Sequence, residues 1–301
     1  MGSRWVTIVL LGALSALPAG ARGQDSFTPM PLDQGFGPLS FTQPAIPVAK
    51  VIADFTQQES VYREALQHYT YQRTARVDTI NDDTHKVSGE YYEVDDVTFR
   101  PDGGRWEKVV YAPPSTLDNG GIMMSESDFQ DIQHNYQFVL TPDNIGEYDV
   151  KYVGKQRIDQ VDCYVFDVTP KEIEKRKRYF KGRIWVDTDA LEIVVSDGWM
   201  VPDDTKPGHQ DLHPPFMTWR QQIDGHYWFP VYSIGEGMLH FTGGSGYMAE
   251  DVHIREVVKY TDYKRFGTST TILYNGQDIT KNGQPANSQQ PPASGGQQPQ
   301  P

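Results

Sequence analysis

The sequence predicts a mainly β protein of the α+β kind, an antiparallel sheet accompanied by a few amphipathic helices. Roughly ten short segments alternate apolar and polar residues at period two, with turn residues between them. Aromatic residues make up 12% of the chain, with 17 Tyr and 6 Trp, and such residues favour half-buried sheet surfaces. Two stretches instead space their apolar residues by three and four, as a helix does. Meander, sandwich and barrel all fit the strand pattern.

The elements follow in chain order. Arg4, the apolar run Trp5 to Leu17 and the small residues Ala19-Gly20-Ala21 read as a secretory signal peptide over residues 1–23. Residues 24–46 hold several prolines and few charges, and read as an extended lead-in. A helix is expected over Pro47 to Leu66, where Val48, Val51, Ile52, Phe55, Tyr62, Ala65 and Leu66 form a stripe and Pro47 suits the first turn. A strand follows from Tyr69 to Thr79. Strands at Val87–Phe99 and Arg105–Tyr111 flank Pro101-Asp102-Gly103-Gly104, a turn signal. A second helix is expected over Ser127 to Leu140, opened by the capping pair Ser127 and Gln130. Strands at Tyr148–Gly154, Cys163–Val168, Phe180–Val186, Leu191–Val195, Met217–Ile223, Tyr227–Ser233 and Val252–Tyr263 complete one domain over residues 47–275. Residues 276–301, rich in Gln, Pro and Gly, lack the apolar side chains to offset their ordering entropy and are expected to be a disordered tail.

The hairpin at Tyr179–Gly198 poses a question. Ile184 and Val186 share one face, yet Trp185 and Val194 stand on the other phase. Both faces of this hairpin therefore need cover.

The net charge of −13 argues against nucleic acid, whose phosphates need a basic field. Beyond the leader, no stretch is apolar enough to span a membrane. The single cysteine, Cys163, lies in a strand pattern and reads as a buried, inert thiol.

Four pieces then come in order: YDVKYVGKQRIDQVDCYVFDVTP (Tyr148 to Pro170), FKGRIWVDTDALEIVVSDG (Phe180 to Gly198), IDGHYWFPVYS (Ile223 to Ser233) and VVKYTDYKRF (Val257 to Phe266). With the first helix ahead of the first strand, the chain resembles the outer-membrane lipoprotein carrier (LolA-like) family and its lipoprotein-sorting relatives, from Val48 to Phe266. The resemblance implies a single, strongly curved antiparallel sheet, an unclosed half-barrel lidded by helices on its concave face. It implies a periplasmic protein that shelters a lipid or lipoprotein acyl chain, with no catalytic residue and no cofactor. Relatives of this fold also serve as envelope sensors, so an interaction module with envelope protein partners is the alternative reading. The chain is longer than a typical carrier and adds the Pro-rich loop Val201–Pro215 and the basic stretch Lys171–Lys181.

On this reading Tyr69, Tyr71, Trp106, Phe129, Ile132, Phe166 and Ile184 are the expected lining of an apolar cavity. Lys175, Arg176, Lys177 and Arg178 are candidates for head-group or partner contact, although such a run is more often a solvated face. His209, Asp211 and His213 alternate, so an extended segment puts them on one face as a weak zinc candidate; a solvated loop is the plainer reading, and no metal is expected. A metal-dependent hydrolase built there is the least favoured alternative. Ser245 in TGGSGY lacks the second Gly of a nucleophile elbow, and no phosphate loop or HExxH occurs.

Overall fold

The computed structural model describes residues 35–100, 102–120, 122, 124, 128–129, 132, 137–175, 177–202, 214–241, 250–266, 273–274 and 277–278. The leader, residues 24–34, nearly all of the tail, Arg176 and the trio His209, Asp211 and His213 lie outside them. Helix α1 spans Val48–Leu66. The strands are β1 (Tyr69–Asn81), β2 (Lys86–Phe99), β3 (Arg105–Tyr111), β4 (Tyr148–Ile158), β5 (Val161–Pro170), β6 (Tyr179–Asp187), β7 (Ile193–Val201), β8 (Phe216–Ile223), β9 (Tyr227–Phe241) and β10 (Glu250–Arg265). They form one antiparallel sheet in the order β3-β2-β1-β10-β9-β8-β7-β6-β5-β4. The sheet does not close: β3 and β4 are its two edges. This is the unclosed half-barrel that the sequence resemblance implied.

Alternation along β1 shows how the inner face is made. Tyr69, Tyr71, Arg73, Ala75 and Val77 are buried, while the residues between them are half-exposed. Helix α1 lies on this face and buries Val51, Phe55, Thr56, Glu59, Tyr62, Ala65 and Leu66. Its rings meet those of the sheet: Phe55 and Phe166 have centroids 5.4 Å apart, and Tyr62 and Phe229 5.6 Å. Each fully buried aliphatic or aromatic side chain of the stripe contributes roughly 1.5–3 kcal/mol.

The outer face answers the question of the hairpin. Trp185, Val194 and Val195 join Ile158, Cys163, Val165, Met217 and Trp228 in a second cluster, covered by Phe36 and Leu39. The Phe36 ring meets Trp185 edge-on at 5.2 Å. Residues 36–40 run along the free edge of β4, with Phe36 opposite Ile158 and Ser40 opposite Lys155. Gly154 permits this approach, since a Cβ there would come within 2.3 Å of the Ser40 carbonyl oxygen. Alternation alone places Val195 with Ile193. Instead an irregularity in the β6–β7 ladder pairs Trp185 with Val195 and Val186 with Ile193, which moves Val195 to the outer cluster. Cys163 is buried there, and burial pushes its thiol up to about 12.

The second expected helix is shorter than the sequence suggested. Asp128, Phe129 and Ile132 have helical backbone, but residues 137–140 do not. Two carbonyls of this segment bond side chains. Arg220 Nη2 donates to Phe138 O at 2.7 Å, and Asn144 Nδ2 to Val139 O at 3.0 Å. The freed Phe138 ring stacks on Phe180 at 4.2 Å. Phe180 in turn lies over Gly182 and Gly198, which face each other across β6 and β7; a Cβ on either would come within 2.9 Å of its ring.

Candidate functional site

The inner face is a trough with two chemically distinct halves. The half built from β5 to β9 is apolar and sits under α1, with Phe166, Phe180, Ile184, Phe216 and Phe229 at 0–2% exposure. One charged contact fastens the helix there. Glu59, fully buried, accepts hydrogen bonds from Arg220 Nη1 at 2.8 Å and Nη2 at 3.1 Å, and from the backbone N–H of Ile193 at 3.1 Å. The guanidinium lies 4.3 Å from the centre of the Tyr62 ring. Arg220 thus ties α1, the segment at Phe138 and strand β8 to one point.

Glu192 lies beside this pair. Burial pushes its carboxyl up to about 7, and the Glu59 charge adds to the shift, while the Trp228 N–H, donating to Oε2 at 3.1 Å, opposes it. A carboxyl raised in the folded state stabilises the fold fully below its ordinary value of 4.5, and that contribution is lost as pH rises through about 7. The loss amounts to roughly 3 kcal/mol at most, from 1.4 kcal/mol per tenfold. Glu192→Gln keeps an acceptor for Trp228 and has no charge to desolvate. It is expected to stabilise the protein by about 1–3 kcal/mol at pH 8 and by little at pH 4. Urea unfolding at the two pH values checks this; equal effects at both would show that ionisation of Glu192 plays no part.

The other half of the trough, on β1, β2, β3 and β10, sets a buried ionic cluster among apolar side chains such as Ala75, Val97 and Val258. Arg73, 1% exposed, bonds Asp95 through Nε at 3.1 Å and through Nη2, and pairs with Glu93 at 3.3 Å and Glu107 at 3.1 Å. Arg105 Nε pairs with Glu107 at 2.6 Å. Burial, then the Asp95 charge, raises the Glu93 carboxyl. Tyrosines ring this cluster, with the Tyr71 and Tyr260 centroids 6.1 Å apart.

Of the seven residues the sequence offered as cavity lining, Tyr69, Tyr71, Ile132, Phe166 and Ile184 are buried in one cluster, with Phe129 packed against it. Trp106 is the exception: it pairs with Thr98 on the outward phase, between the inward Arg105 and Glu107, and is 51% exposed. There it lines an outer groove of about 390 Å³ with Gln72, Asp96, Thr98 and Lys108. A second outer groove, about 770 Å³, runs past Phe36, Trp185, Trp199 and Met217. In the basic stretch, Lys177 Nζ pairs with Glu147 at 2.5 Å and Lys171 Nζ donates to Gly146 O at 2.9 Å, while Lys175 is exposed. Arg178 is half-buried and has a partner. Among the described residues, no group of three His, Cys, Asp or Glu is placed to hold a metal ion, and no helix is long and apolar enough to cross a membrane.

Sequence reading missed Glu59, Arg73 and Arg220. Each had a signal. Glu59 sits four residues after Phe55 and three before Tyr62, within the apolar stripe. Arg73 shares the phase of Tyr69, Tyr71 and Ala75. Arg220 shares that of Phe216 and Thr218.

No family model matches the chain, and no curated protein matches it. Solved structures do resemble it. A DUF1329 family protein from Desulfovibrio piger is 15% identical, covers 73% of this chain and 94% of its own, and superposes with a TM-score of 0.39. A LolA superfamily protein from Nitrosomonas europaea is 14% identical over 74% and 96%, with a TM-score of 0.30. A domain from Vibrio parahaemolyticus, described as outer membrane lipoprotein-sorting, is 11% identical over 72% and 93%, with a TM-score of 0.33.

Proposed function

We propose that this chain is an exported, non-catalytic binding protein that carries a lipid or lipoprotein acyl chain between the inner sheet face and α1, in the periplasm of a two-membrane envelope. One observation carries the reading: an apolar trough is covered by a single described helix, and that helix is fastened by one buried ion pair. Releasing the pair and the stripe of α1 uncovers a continuous apolar surface. A sixteen-carbon chain burying itself there gains roughly 12 kcal/mol, at about 0.8 kcal/mol per CH₂. That gain is of the same order as the helix contacts it replaces, as reversible loading requires. The two buried ion pairs of the trough, Glu59 with Arg220 and Arg73 with Asp95, fit a structural role.

The test is native mass spectrometry of the protein purified without detergent, followed by lipid extraction. A discrete lipid adduct is expected. A clean apo mass, together with no uptake of a fluorescent fatty acid, would sink the reading. It would favour a second one, an envelope interaction module, for which a specific observation speaks. Trp106, Val109, Val110 and Tyr111 on edge strand β3 are each more than half exposed, a surface suited to a partner protein's strand. Lys175 and its basic neighbours are further candidates for partner or head-group contact.

A further inference from the structure

Among the described residues, five buried atoms able to donate lack a hydrogen-bond partner on the inner face. They are the hydroxyls of Tyr62 on α1, Tyr71 on β1 and Tyr260 on β10, the carboxamide Nε2 of Gln137, and Nη1 of Arg73. The three tyrosines and the arginine are 1–3% exposed. They belong to one place: the Tyr71 and Tyr260 rings lie 6.1 Å apart, both phenols raise the pKa of Tyr62, Gln137 lies beside both Tyr71 and Tyr260, and Arg73 acts on both of those phenols. Yet Gln137 Nε2 closes a hydrogen bond with neither.

Neighbouring tyrosines show that this is local. The Tyr69 hydroxyl donates to Asp224 at 2.7 Å, and that of Tyr263 to Pro230 O at 2.6 Å. Buried polar groups are paired in nearly all folded proteins, so a cluster of orphans calls for an occupant. Its chemistry can be read from the atoms. Among the described residues the acceptors beside them that lack a hydrogen bond are Asp95 Oδ1 and Glu107 Oε2, and Arg73 Nη1 and Gln137 Nε2 can only donate, so the donors still outnumber the acceptors and the occupant should bring acceptors. It should carry no negative charge, because Glu93, Asp95 and Glu107 already outnumber Arg73 and Arg105 around it.

We propose that this donor cluster binds the uncharged carbonyl head of an amphiphile, an ester or amide linkage, whose acyl chain lies in the adjoining apolar half under α1. This rests on the carrier reading and specifies its cargo. Tyr62 joins the halves: its ring meets Phe229 on the apolar side and its hydroxyl enters the donor cluster.

The experiment compares methyl palmitate, hexadecane and hexadecyl phosphate as competitors of a fluorescent fatty acid on the purified full-length mature chain. The ester is expected to bind about tenfold more tightly than the alkane, the worth of one or two buried hydrogen bonds, and more tightly than the phosphate. The double variant Tyr71→Phe, Tyr260→Phe should lose the preference for the ester and keep the affinity for the alkane. It should also melt no lower than the parent without ligand, because it removes two unpaired buried hydroxyls. Equal binding of ester and alkane by the parent, or a preference that survives in the double variant, would overturn the inference and leave the carrier reading standing. A melting point several degrees lower in the variant would also overturn it, since the hydroxyls would then be satisfied by internal water. Failure of every probe, the fluorescent fatty acid included, would overturn the carrier reading itself.

Discussion

Replacing Glu59 with alanine is expected to destabilise the protein by about 3–5 kcal/mol, because it strands a guanidinium in the core. Arg220 is 5% exposed and has the Glu59 carboxylate as its ionic partner; its other bond goes to the Phe138 carbonyl. Losing the carboxylate also leaves the Ile193 N–H without its acceptor. The loss therefore exceeds that of deleting a few methylenes. A paired change distinguishes the ionic cost from packing. Glu59→Leu with Arg220→Met replaces both charges by apolar groups of similar size and should recover most of the stability, as buried pairs commonly allow. Chemical denaturation of the three proteins checks this. A loss below about 1 kcal/mol in Glu59→Ala would show that water reaches Arg220 freely, and that the pair does not fasten α1. On the carrier reading the single variant also loads a fluorescent fatty acid faster, because the helix leaves the trough more readily.

Much of the sheet was legible because its chemistry is local. Period-two alternation named all ten strands of the large sheet, and Pro47 with the stripe to Leu66 named α1 within a residue of its bounds. The misreadings came where tertiary contacts overrode local pattern. The stripe Phe129, Ile132, Tyr136 and Leu140 extends a helix in sequence, but residues 137–140 are not helical, and Arg220 and Asn144 hold the Phe138 and Val139 carbonyls. Val195 keeps the phase of Ile193 in sequence, but a ladder irregularity turns it outward. Trp106 looks like a core residue by type, but its phase, opposite Thr98 and between the inward Arg105 and Glu107, turns it outward. The candidate site was less legible for a related reason. A charged residue in an apolar phase, such as Glu59 or Arg220, is readable as an oddity. Its partner, 161 residues away in the sequence, is visible only in the fold. The cover over Trp185 was equally hidden, since residues 36–40 offer no periodicity until they lie along β4.

Arg73→Met is expected to cost about 3–5 kcal/mol at pH 8, and clearly less at pH 5. The guanidinium is the shared counter-charge of Asp95, Glu93 and Glu107 on the inner face. Methionine fills much of the same volume, so the loss reports the charge more than a cavity. The pH dependence follows from the sign of the Glu93 shift. Burial already holds that carboxyl above its ordinary value, so its contribution is greatest at low pH and is lost as pH rises. Without Arg73 the carboxylates repel one another in a medium that solvates them poorly, and protonation relieves them. The variant should therefore regain stability as pH falls towards 5, while its deficit against the parent widens as pH rises. Urea midpoints at pH 5, 6.5 and 8 decide the matter. A deficit constant across that range would mean that Arg73 acts by packing, and that the half of the trough holding the ionic cluster is hydrated enough to screen its charges. That outcome would also weaken the case for an uncharged head group there, because a hydrated trough tolerates an anion.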